Sequence, residues 1–121
     1  MAKILLVEDD RNLIKLYKTE LELLGAQVVV ATDGKMGFDM AKLEKPELIL
    51  MDVILPEKIG LSVLKDLKSD AETKSIPVII VSNFDQGDNP KKAIKLGALA
   101  FMSKQQYTPQ QVAAEALAAL K

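Results

Sequence analysis

The chain contains neither cysteine nor histidine. The first absence excludes disulfides, zinc–thiolate centres and thiol catalysis. The second removes histidine-based catalytic triads and the commonest transition-metal ligand. Any metal bound here must therefore sit on oxygen, which suits magnesium, calcium or manganese. A strong charge bias is also missing: the formal net charge is -1, so no general attraction to nucleic acid or an anionic membrane follows. No apolar run approaches the roughly 20 residues of a membrane span, and the run at residues 4–7 is too short for a signal peptide and ends in acids. A cytoplasmic protein is expected. Linkers, internal repeats and low-complexity tracts are lacking too. With 121 residues, of which 49% are hydrophobic and 27% charged, the expectation is one globular domain over residues 1–121 with no output domain attached.

What is present is a rhythm. Short apolar runs recur at residues 4–7 (ILLV), 28–30 (VVV), 48–51 (LILM), 78–81 (VIIV) and 99–102 (LAFM). They do not alternate with polar residues, as expected for parallel strands covered on both faces. Helical spacing fills the gaps. Leu13, Leu16, Tyr17, Leu21 and Leu24 share one face, and Gly25 follows as a C-terminal cap. A weaker helix carrying Phe38 and Ala41 follows Asp33–Gly34, and Gly60, Val63, Leu64 and Leu67 fall at i, i+3, i+4, i+7. Asn89–Pro90 opens a short helix that Gly97 closes. Thr108 as N-cap and Pro109 at the first position start the last, with Ala113, Ala116, Leu117 and Leu120 inward. Five βα units in strict alternation predict an α/β fold, an open doubly wound five-stranded parallel sheet with helices on both faces. Functional residues of such sheets gather beyond the carboxyl ends of the strands.

The strand ends carry chemistry. The first ends in Glu8, Asp9 and Asp10, the third in Asp52, the fourth in Ser82 and Asn83, and the fifth in Ser103 and Lys104. Taken singly, each has an ordinary reading: Asp52 a turn former, Asp10 a helix cap, Ser82 a satisfied hydroxyl, Lys104 a surface lysine. Together they place Glu8, Asp9 and Asp52 face to face with one nearby cation, Lys104. Two like charges about 4 Å apart repel by roughly 4 kcal/mol at an effective dielectric near 20. Such a cluster should raise a carboxyl pKa or draw in a cation, and magnesium suits it because it keeps waters and open positions.

LLVEDD, LILMDVILP, the strand-end Ser82 and FMSK together resemble the receiver domain of two-component response regulators, the CheY-like family. The resemblance spans essentially the whole chain, and brings with it a flavodoxin-like three-layer α/β/α fold with strand order 2-1-3-4-5. It implies that Asp52 is the phosphoacceptor and that Glu8, Asp9 and Asp52, with the backbone carbonyl of Ile54, hold Mg2+. It also implies that Lys104 and Ser82 contact the phosphoryl oxygens and that Phe101 switches rotamer with Ser82. Pro56 and Gly60 keep the family spacing. The implied function is a phosphorylation-activated switch, not an enzyme, that catalyses only its own phosphorylation and slow dephosphorylation. Its partners would be a sensor histidine kinase or phosphotransfer protein and a downstream effector, with no direct contact to nucleic acid or membrane. It would act as a monomer or a phosphorylation-dependent homodimer. The alternative is a receiver-like interaction module that is never phosphorylated. An aspartate-based phosphatase is disfavoured because Ile54 stands where a general acid would be, and a flavin site because EDD would repel a phosphate.

Three departures from the family pattern stand out. Gln105 follows Lys104 where proline is common; a cis non-proline bond costs roughly 2.5–4 kcal/mol, which favours trans and a less rigidly placed loop. Asn83 and Ile59 replace the usual residues at their positions. Ile54 and Phe84 flank the approach of a hydrolytic water, which predicts slow loss of a phosphoryl group.

Overall fold

A computed structural model describes residues 1–54, 60–83 and 87–121. Pro56, Ile59 and Phe84 lie outside these. The described elements are β1 (Lys3–Val7), α1 (Arg11–Leu23), β2 (Gln27–Ala31), α2 (Gly34–Glu44), β3 (Leu48–Met51), α3 (Gly60–Ser69), β4 (Val78–Ser82), α4 (Asn89–Lys95), β5 (Ala100–Ser103) and α5 (Pro109–Ala118). The five strands pair in parallel in the order β2-β1-β3-β4-β5, as the resemblance implied.

The unbroken apolar runs now have a physical explanation. Successive strand residues point to opposite faces, and both faces are covered. Leu5, Val7, Ile49, Met51, Val78 and Ile80 pack with Ala41 of α2, Val63, Leu64 and Leu67 of α3 and Ala93 of α4. Ile4, Leu6, Leu48, Leu50, Ile79 and Val81 pack with Tyr17 and Leu21 of α1 and Val112, Ala113 and Ala116 of α5. Each fully buried aliphatic side chain contributes about 1.5–3 kcal/mol by leaving water.

The helix signals act as read, with local exceptions. Asp10 caps α1 by accepting from the amides of Asn12 and Leu13 (2.9 and 3.1 Å). Thr108 and Gln111 form a reciprocal capping box at α5. Gly25 (φ 94°) and Gly97 (φ 110°) end α1 and α4 in the left-handed region. Leu16 and Leu24 depart from their expected inward positions and are about half exposed. The buried stripe of α1 runs through Ile14, Tyr17 and Leu21, leaving Leu16 on its flank and Leu24 beyond the last turn. Leu99 also stays outside, because β5 begins one residue later. Among the described residues no helix is long and apolar enough to cross a membrane.

Candidate functional site at the carboxyl edge of the sheet

β1, β3, β4 and β5 all end at one edge, and their registers bring distant residues together. Val7 pairs with Met51, so Glu8 and Asp52 leave the sheet side by side; Ser82 pairs with Ser103, which sets Lys104 beside the end of β4. The backbone fixes these ends further. The Asp52 amide donates to the Val7 carbonyl (3.1 Å) and the Lys104 amide to the Ser82 carbonyl (3.0 Å).

At the centre, the Lys104 ammonium donates to Glu8 Oε1 at 2.8 Å and to Asp52 Oδ2 at 2.6 Å. Both acids are buried, with Glu8 at 2% and Asp52 at 7% relative exposure. The remaining carboxylate oxygens are also occupied. Glu8 Oε2 accepts from the amides of Asp9 and Asp10, and Asp52 Oδ1 accepts from the amide of Ile54. One cation therefore joins segments 96 and 52 residues apart in the chain.

The Glu8 carboxyl pKa is raised, but not chiefly by the neighbouring acid. Burial pushes Glu8 up, against hydrogen bonding and attraction from Lys104, and the charge of Asp52 is the smallest contribution. Desolvation, more than repulsion between acids, dominates this site. For Lys104, burial acts downward as the largest single influence. The hydrogen bonds and charges of Asp52 and Glu8 together outweigh it and hold the ammonium above its ordinary value. Lys104 is thus firmly protonated at neutral pH.

Asp9 and Ile54 stand at the same edge with exposed side chains. Among the described residues, no three acidic side chains are gathered tightly enough to cage a metal unaided. The donor set nonetheless fits a hard divalent ion. Two buried carboxylates already converge on one positive charge, and the exposed Asp9 follows Glu8 directly in the chain, so every donor offered is an oxygen of the kind such an ion takes. Ser82 is fully buried at the end of β4. Phe101 is half-buried and lines a groove with Pro90, Lys91, Ile94 and Lys95 of α4.

Three features went beyond the sequence reading. Gly60 is needed for contact as well as spacing: a Cβ there would overlap the Asp52 carbonyl oxygen and Val53 Cα, while its amide donates to the Val53 carbonyl at 2.7 Å. Tyr17, read only as an inward face, lines with Glu8 and Asp52 the small void beneath the acids, and burial pushes its phenol up. A tyrosine in a stripe of aliphatic residues was the available signal. The loop after Lys104, expected to be loosely placed, is trans throughout and anchored by hydrogen bonds to Ser103.

Known proteins share this fold. The sequence profile described as "Response regulator receiver domain" matches residues 4–116. Protein PilH of Pseudomonas aeruginosa is 38% identical over 104 residues, 86% of each chain. The cyanobacterial phytochrome response regulator RcpA, solved in phosphorylated form, superposes with a TM-score of 0.80 at 30% identity, covering 98% of this chain and 90% of RcpA. The Mn(2+)-bound form of response regulator Rcp1 superposes with a TM-score of 0.81 at 26% identity, covering 93% of this chain and 91% of Rcp1. The chain belongs to the response regulator receiver domains of two-component signalling.

Proposed function

We propose that this receiver domain is a phosphorylation-driven switch that takes a phosphoryl group onto Asp52 from a phosphohistidine of a sensor kinase or phosphotransfer protein. The observation that carries the reading is the Lys104 ammonium bridging Asp52 Oδ2 and Glu8 Oε1 at 2.6 and 2.8 Å. A cation is thereby held against a carboxylate that sits at the rim of the sheet and is just accessible. In the transfer, an Asp52 carboxylate oxygen forms the new bond to phosphorus while the phosphorus–nitrogen bond breaks. The imidazole of the donor keeps that electron pair. No general base is required, so a site without histidine is adequate; positioning and charge neutralisation are what the reaction needs.

Glu8, Asp9 and Asp52, with the Ile54 carbonyl, are the residues that would hold Mg2+, which supplies neutralisation of charge on the transferring group. The Mn(2+) of Rcp1 and the phosphorylated state of RcpA support this assignment by similarity. Lys104, already hydrogen-bonded to the acceptor carboxylate, is within reach of oxygens attached to it. Ser82, on the strand paired with β5, is the hydroxyl that contacts the same oxygens. The added charge and acceptor oxygens draw these groups inward, and Phe101 beside α4 reports the change to an effector. The chain works in the cytoplasm and promotes no reaction beyond its own phosphorylation and slow hydrolysis. The exposed apolar Ile54 side chain cannot orient an attacking water.

Magnesium-dependent labelling by acetyl phosphate, abolished in Asp52→Asn, tests the proposal. Labelling that persists in this variant sends the phosphoryl group elsewhere. A wild-type chain that is never labelled leaves a receiver-like interaction module. Decay of the label within seconds contradicts the slow hydrolysis.

A further inference from the structure

Residues 103–107 form the turn that carries Lys104 out of β5. Ser103 organises it with three acceptances: its Oγ from the Gln105 amide at 3.2 Å, and its carbonyl from the amides of Gln106 and Tyr107 at 3.0 and 3.1 Å. Ser103 itself is 7% exposed and locked in register opposite Ser82. Lys104 belongs to this turn, and its amide donates to the Ser82 carbonyl of β4. The contact from Gln105 to the hydroxyl depends on two features of the sequence. Position 105 must keep an N–H, which proline lacks, and position 103 must offer a side-chain acceptor. Proline would stiffen such a turn covalently. This chain stiffens it with a side-chain hydrogen bond whose acceptor is shielded from water.

We propose that Ser103 is the positioning residue for Lys104: its hydroxyl, by holding the Gln105 amide, fixes the turn from which the ammonium reaches Asp52 and Glu8. The inference rests on the reading in which Lys104 contacts the phosphoryl oxygens. Ser103 acts through Lys104 alone and is not itself a catalytic residue. Placement matters because the lysine spans from the turn to two carboxylates at hydrogen-bonding distance, and misplacement of a reacting group by about 1 Å costs up to 100-fold in rate.

The test is a double-mutant cycle with acetyl phosphate and saturating Mg2+. Ser103→Ala should slow labelling about tenfold, chiefly in the maximal rate and not in the donor KM. Ser103→Thr should restore the rate by keeping the acceptor, and Gln105→Ala should match wild type by keeping the N–H. In a Lys104→Met background, Ser103→Ala should cause no further loss. An unchanged rate in Ser103→Ala, or an equal further loss without Lys104, overturns the proposal. Ser103→Cys, a near-isostere with a weak acceptor, replaces the alanine variant if that one does not fold, with the same outcomes. If wild type is not labelled at all, the proposed function fails, and a crystal structure of the Ser103 variant decides this inference separately. An ammonium displaced from Asp52 Oδ2 supports it, and one still in place overturns it.

Discussion

Two partly buried lysines sit at opposite ends of the same sheet, and they are held in opposite ways. Lys104, at the carboxyl edge, meets two carboxylates and is held above its ordinary pKa against the pull of burial. Lys68, near the amino edge, donates to the carbonyls of Ile76 (2.6 Å) and Lys74 (3.2 Å), and burial lowers its pKa. Around Lys68 everything is structural. Its stem crowds the space where a side chain at Gly97 would go, and the fully buried Thr73 hydroxyl donates to the Leu67 carbonyl at 2.6 Å. Neutral carbonyls stitch α3 to the following turn and ask nothing of an incoming ligand. Charged carboxylates paired to a side-chain ammonium can exchange that partner for another cation. The chemistry of the partners, more than the depth of burial, separates a clamp from a site.

The largest effect that sharpens this contrast is on labelling. Lys104→Met should slow acetyl phosphate labelling about 100-fold, as loss of a preorganised charge on a reacting group does. Lys68→Met should leave the rate within about twofold and lower stability instead, since its carbonyl partners lose a donor. Parallel labelling time courses and urea melts check both, and a labelling defect in Lys68→Met would erase the distinction between the two ends.

Next is Gly60→Ala, where the added methyl collides with the backbone at Asp52 and Val53. Overpacking of this kind should cost about 1–3 kcal/mol, and labelling should slow as well if the proposed acceptor is Asp52, whose own peptide is displaced. A variant with wild-type melting and wild-type labelling would remove Gly60 from the site. At the other end, Thr73→Val should cost about 1–2 kcal/mol by leaving the buried Leu67 carbonyl short of a donor, with labelling untouched. Denaturant midpoints combined with the same labelling assay decide it.

The smallest effect expected is on the pH dependence of stability. The folded pKa of Glu8 lies above its unfolded value of 4.5. Between those two values the native state binds more protons than the unfolded chain, so this group's contribution to stability falls as pH rises through the window and stays low at neutral pH. Glu8→Gln should therefore melt no earlier than wild type at pH 7, and its advantage should shrink as pH falls toward 4.5. Urea midpoints across that interval measure the difference. A neutral-pH loss in Glu8→Gln that shrinks on acidification would mean that the ionised acid stabilises the fold.

Much of the molecule is readable in one dimension. The β-strand runs, the caps at Asp10, Thr108 and Gly97, and the residue types at the strand ends follow from local rules: period, capping chemistry and backbone freedom. Residues on flanks of helices were less legible. Leu16 and Leu24 have the apolar character of a buried face, but α1 presents Tyr17 and Leu21 to the sheet, and which 100° stripe faces inward depends on how the helix lies on the strands. Chemistry at the site was legible as a set of residue types and invisible as a set of distances.

The sequence by itself determined the alternation of strands and helices, the oxygen-only character of any metal site, and the presence of acids, a hydroxyl and an amine at strand ends, because these depend on residue identity and local period. Only the tertiary structure decided that one ammonium would bridge Glu8 and Asp52, that desolvation would dominate the acid's pKa, and that a serine would anchor the turn after Lys104. Those outcomes depend on parallel register and close packing, which bring together residues that the chain keeps far apart.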